Sequence, residues 1–136
     1  MGRSRIDAMF ERDRAARGAG IVLEEVSGGR AVARMKVTEE MADAHGIGHG
    51  GYVFLLADTA FSYACDSYGP VAFAQGAQIT FLAPAQLGDE LVAEAVERTL
   101  AGRNGVYDVT VRTAAGTVVA EFRGQSTLVT GPPHSG

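Results

Sequence analysis

Cysteine is nearly absent from this chain of 136 residues: Cys65 stands alone, so no intrachain disulfide can form, which suits a reducing cytoplasm. Flanked by Tyr63 and Ala64, its thiol reads as a core group rather than a reactive one. Long apolar runs are also missing. The longest, residues 52–57, has six residues, against the roughly 20 that a membrane span needs. The first 18 residues mix arginine with aspartate and glutamate and contain no apolar stretch, which speaks against a secretory signal. Charge is never blocked: 16 acidic and 12 basic side chains are scattered to a net −4, which argues against nucleic acid as the main partner. There is no internal repeat or low-complexity tract. With 46% hydrophobic residues, the chain has the size of one domain around one core.

The patterns that are present divide the chain. Residues 1–18 read as a short surface helix, residues 19–130 as the globular domain, and residues 131–136, "GPPHSG", as a disordered tail. "GIVLEEV" and "RAVARMKVT" are strand-like and separated by Gly28-Gly29, a hairpin signal. In the second of them Ala31, Ala33, Met35 and Val37 share one face, and Arg34 and Lys36 share the other. That alternation marks a half-buried antiparallel strand. Residues 38–49 form a loop by composition. Residues 50–66 are the one long helical candidate, with Val53, Leu56, Ala57, Ala60, Phe61 and Ala64 at spacings of three and four. Four long strand candidates follow, with turns at 84–88, 102–105 and 114–116. Long antiparallel strands twist, and only one sizeable helix is available to cover their apolar face. A curved sheet around a central helix is the economical solution.

The stretch "HGIGHGGYVFLLADTAFSYAC", residues 45–65, carries the chemistry. Gly48, Gly50 and Gly51 surround His49 at the mouth of the helix, where unpaired N–H groups and the positive dipole end favour an anion or oxyanion. A flexible loop feeding a helix would look the same. Asp58 interrupts the apolar run. A helical wheel puts it roughly 40° from Ser62 and 80° from Asp66, at the edge of a polar arc completed by Thr59. It reads equally as a solvent-facing border residue or as a carboxylate base paired with the helix mouth. Roughly 10 Å of helix rise separates Gly51 from Asp58, whereas base and oxyanion donor must both lie about 3 Å from the reacting group. If both act on one substrate, the simplest arrangement is a two-fold dimer in which each site takes one half from each chain. His45 and His49 have the i, i+4 spacing of metal ligands on a helix, but the intervening glycines speak against a helix there, and no metal is expected. His134 lies in the tail and is expected in solvent.

"DAHGIGHGG" followed by "YVFLLADTAF" resembles the Asn-x-x-Gly-x-x-His-Gly-Gly and downstream Asp pattern of the hot-dog-fold acyl-CoA thioesterases, especially those of phenylacetate degradation. "GVYDV" and "FRGQS", later in the chain, are similar to that subgroup too. The resemblance implies an α+β hot-dog fold, a six-stranded antiparallel sheet wrapped around one helix, assembled as a homodimer and commonly as a homotetramer. It implies hydrolysis of an acyl-CoA thioester, with phenylacetyl-CoA, hydroxylated phenylacetyl-CoA or another aromatic or medium acyl group as substrate, and no cofactor. Carried over, Asp58 is the catalytic base or nucleophile, Gly50 or Gly51 the amide that polarises the carbonyl, His49 the residue that orients it, and Thr59 a hydroxyl holding water. Asp43 stands where the pattern has Asn. A carboxylate cannot donate as an amide does, so either that contact is rebuilt or Asp43 is protonated. Phe54, Tyr63, Phe73 and Phe81 are candidates for an aromatic acyl pocket, and Arg103, Asn104 and Arg123 for coenzyme A. Two other readings are a hydratase or dehydratase on the same fold, using His49 for proton transfer, and an acyl-CoA-binding module without turnover.

Overall fold

A computed structural model describes residues 2–134. Two short helices, α1 (Gly2–Arg12) and α2 (Arg14–Gly18), precede strands β1 (Val22–Ser27) and β2 (Arg30–Lys36). A single 3-10 turn and a loop lead into helix α3 (Gly50–Asp66), followed by β3 (Ala72–Phe81), β4 (Glu90–Ala101), β5 (Asn104–Thr113) and β6 (Val118–Leu128). The strands form one antiparallel sheet in the order β1-β2-β4-β5-β6-β3. Every ladder except β2–β4 contains a bulge. Bulges add local twist, and the sheet they curve folds around α3.

The helix approaches closely because the floor beneath it is alanine. Ala31 pairs with Ala95 and Ala33 with Ala93 across β2 and β4, all four fully buried. Onto them the helix lays Leu56, Ala57, Ala60 and Ala64, also fully buried. Farther across the sheet, Phe61 stacks edgewise on Tyr107 and tilts against Phe122, which meets Phe54 edge-on at 5.3 Å. Gly124 makes room for this: a Cβ there would stand 2.7 Å from Phe61 Cζ.

Two expectations about the ends of the chain change. The N-terminal segment is two helices broken at Asp13, and it is not merely a surface element. Ile6 and Ala16 are buried in the common core, and Asp13 caps α2 through Ala16 N–H while accepting the Tyr63 hydroxyl at 3.0 Å. Residues 131–134 are tied down: His134 N–H donates to Gly102 O at 2.6 Å, and its ring meets Tyr68 edge-on. Residues 135–136 of the expected tail lie outside the described residues.

Candidate active site

The loop before α3 is held from both sides. Gly48 N–H donates to Ala85 O at 2.6 Å, and His49 N–H to Met41 O at 2.7 Å. Only Gly46, at φ +76°, uses the left-handed freedom of glycine here. Gly48 and Gly50 instead permit close approach. A Cβ on Gly48 would meet Val37 and Ala85 at 3.2–3.4 Å, and one on Gly50 would stand 3.0 Å from Phe81 Cζ.

His49 is the N-cap of α3, and its Nδ1 accepts the Gly51 N–H at 3.2 Å. The neutral ring therefore carries its proton on Nε2. The N–H groups of Tyr52 and Val53 turn back to His49 O. Of the first amides of the helix, Gly50 N–H alone has no partner among the described residues. Gly50 lines a cavity of about 410 Å³ together with Asp43, Ile47, Val53, Phe81, Leu82, Pro84, Val119 and their neighbours. A free amide at the positive end of a helix, against a mostly apolar wall, has the chemistry to receive an oxyanion beside an acyl-sized space.

Asp58 lies two turns along the same helix, half-buried, with neither hydrogen bond nor ion pair among the described residues. Burial pushes its carboxyl above the ordinary range. It does not line the Gly50 cavity. Thr59 is not part of a solvent-facing polar arc. It is 6% exposed, and its hydroxyl donates to Leu55 O at 2.7 Å. Asp43 is exposed; its Oδ1 accepts the N–H groups of His45 at 2.8 Å and Ile47 at 3.0 Å. Those bonds hold its carboxyl below the ordinary range, so of the two possibilities raised for Asp43, the protonated one falls away.

The remaining candidates scatter. Phe81, half exposed, walls the helix mouth, and Phe54 sits one turn inside it against Phe122. Tyr63 is buried about 20 Å of helix rise from the mouth, packed on Phe10 and bonded to Asp13, so it is a core residue. Phe73 projects from β3, 62% exposed. Arg103 donates to the carbonyls of Leu128, Thr130 and Gly131 and so pins the tail. Asn104 accepts from Gln75, and Arg123 clasps Asp108 through two bonds of 2.6 and 2.8 Å. None of these three reaches the helix mouth. Sequence reasoning missed the far wall of the cavity, residues 82–85 and Val119; the only signal for it was the turn at Pro84. His45 and His49 join no metal-binding cluster among the described residues.

A helix gripped by a curved six-stranded antiparallel sheet, with a glycine-lined mouth on an apolar cavity, defines a hot-dog-fold protein. Residues 45–120 match the thioesterase superfamily, and the chain belongs to that family. It is 43% identical over 124 residues to the acyl-coenzyme A thioesterase PaaI of Escherichia coli, covering 91% of this chain and 89% of the relative. It is also similar to a structure of E. coli PaaI from the phenylacetic acid degradation operon, with TM-score 0.93 and 40% identity over 96% and 95% of the two chains. A mutant of the PaaI protein of Thermus thermophilus superposes with TM-score 0.80 at 32% identity, over 84% and 97%.

Proposed function

We propose that this chain hydrolyses acyl-CoA thioesters to free acid and coenzyme A, with phenylacetyl-CoA and its ring-hydroxylated forms as the preferred acyl class. The observation that carries the reading is the Gly50 N–H, the one helix-mouth amide without a partner among the described residues, on a glycine that lines a mostly apolar cavity. The His49–Gly51 bond occupies the Gly51 N–H and so supports Gly50 as the oxyanion donor. The thioester carbonyl accepts from Gly50 N–H. Asp58, ionised, takes a proton from water as the water oxygen bonds to the carbonyl carbon. When the C–S bond breaks, that proton passes to the departing sulfur, leaving acid and thiol.

About 12 Å of helix rise separates Gly50 from Asp58, so the site is completed by a second copy. The edge strand β3 is the natural seam: it pairs only with β6, and Phe73, Phe81 and the adjoining Leu82 are more than half exposed. A long apolar edge of this kind recruits another strand. Two such dimers give the homotetramer that the family resemblance implies, working in the cytoplasm. Membership of the thioesterase superfamily favours hydrolysis over hydration or mere binding.

Thiol release from a panel of acyl-CoAs tests the reading. Asp58→Asn lowers kcat by about 100-fold or more, the scale of a lost general base. Unchanged turnover in that variant would remove Asp58 from the mechanism.

A further inference from the structure

The cavity beside the helix mouth carries one charge on an otherwise apolar wall. Ile47, Val53, Phe81, Leu82 and Val119 supply carbon, whereas Asp43 is the only ionisable side chain among the described residues that line it. The two N–H groups that hold Asp43 go to the same oxygen: Oδ1 accepts from His45 at 2.8 Å and from Ile47 at 3.0 Å. Oδ2 has no hydrogen-bond partner among the described residues. The bonds to Oδ1 hold the carboxyl below its ordinary range and so keep it ionised around neutral pH. Among the described residues, no lysine or arginine lines the cavity to offset that charge. His45 and His49 lie near enough to act on it, but neither is part of the wall. An asparagine would accept the same two bonds and stay neutral. The loop needs an acceptor at residue 43, and it does not need an anion.

We infer that Asp43 selects the acyl group by charge: acyl chains that end neutral enter the Gly50 cavity, and those that end in a carboxylate are turned away. The inference rests on the thioesterase reading and adds to it a class of substrate that the site excludes. Like charges about 6 Å apart near a protein surface repel by an amount that solvent and salt reduce but do not abolish. The apolar wall offers a carboxylate no partner for what it loses on leaving water. A neutral chain or ring meets neither cost.

The test compares heptanoyl-CoA with adipyl-CoA, acyl groups of similar length of which only the second ends in a carboxylate. Thiol release at pH 8 gives kcat/KM for both substrates, in the wild type and in Asp43→Asn, whose fold is checked by its thermal midpoint. Loosening of the loop lowers both substrates alike, so the ratio of the two within one protein reads charge rather than structure. The wild type is expected to favour heptanoyl-CoA, and Asp43→Asn to shrink that preference about five- to tenfold, mainly through KM for adipyl-CoA. Salt gives a second reading that needs no variant. Raising it to about 0.5 M shrinks the preference of the wild type about threefold and leaves that of Asp43→Asn in place. A preference unchanged by Asp43→Asn, or unchanged by salt in the wild type, overturns the assignment. Wild-type protein that releases no thiol from any acyl-CoA overturns the thioesterase reading itself, a result distinct from these.

Discussion

Asp43 shows how one altered atom changes the role available to a residue. Its Oδ1 gathers the N–H groups of His45 and Ile47, and its own N–H reaches Ile47 O at 2.7 Å, so the side chain folds the loop that delivers Gly48 and His49 to the helix mouth. That work needs an acceptor, which a carboxylate supplies as well as an amide oxygen does. Asp43→Ala is expected to lower kcat/KM about tenfold by loosening the loop, and Asp43→Asn, whose oxygen accepts the same two bonds, to lose less. Steady-state kinetics on the pair decides; equal losses would assign Asp43 a direct part in the chemistry. Asp58 presents the opposite case, because it is half-buried without a partner among the described residues and its carboxyl lies above the ordinary range. A folded-state value above the unfolded one means the charge costs stability once pH exceeds the unfolded value, near 4. Asp58→Asn therefore melts higher than wild type at pH 7. The difference vanishes below about pH 4. A scan of thermal midpoint against pH reads both statements, and an unchanged or lower midpoint at pH 7 refutes them.

At the scale of elements, packing around α3 depends on residues too small to announce themselves. Gly124 lies under the Phe61 ring, whose edge atoms would stand 2.7–2.8 Å from an added Cβ, and Phe61 is only 1% exposed. The ring has no open side to move toward. Gly124→Ala is expected to cost about 1–3 kcal/mol, the usual range for an overpacked core, read as a lower urea midpoint at unchanged slope. Much of this layer was legible beforehand. Alternation in β2 and the three-four spacing in α3 identified residues that are in fact buried, because a sustained apolar period arises from little besides a face turned to the core. The turn positions were legible from glycine and proline. What escaped were contacts that no period encodes: Tyr63 reaching back 50 residues to Asp13, and Arg103 holding the tail by three main-chain carbonyls. Tyr63 and Arg103 show why such contacts escape a sequence reading. Side-chain chemistry alone does not distinguish a group open to a ligand from one held by a partner distant in sequence.

At the scale of the whole molecule, the half-sites of one chain point to a test that only an assembly passes. Gly50 offers its N–H at the mouth and Asp58 lies about 12 Å along the same helix; in the proposed two-fold dimer each of two sites would take the amide from one protomer and the carboxylate from the other. Asp58→Asn removes the second half. Gly50→Pro removes the first without breaking the helix, for three reasons. Proline is favoured at the first helical position. His49, at φ −60° and ψ 135°, already has the extended backbone that must precede proline. An added Cβ first meets the far edge of the Phe81 ring, at 3.0 Å, and that ring is half exposed. Each variant alone is expected to be inactive. Unfolded together and refolded as an equal mixture, they form heterodimers in about half of cases, each with one intact site and one doubly defective. Thiol release should then recover to about a quarter of the wild-type value. Recovery to that level requires the shared site; no recovery, with mixed dimers demonstrated by tag pull-down, would place both halves of the chemistry within one chain.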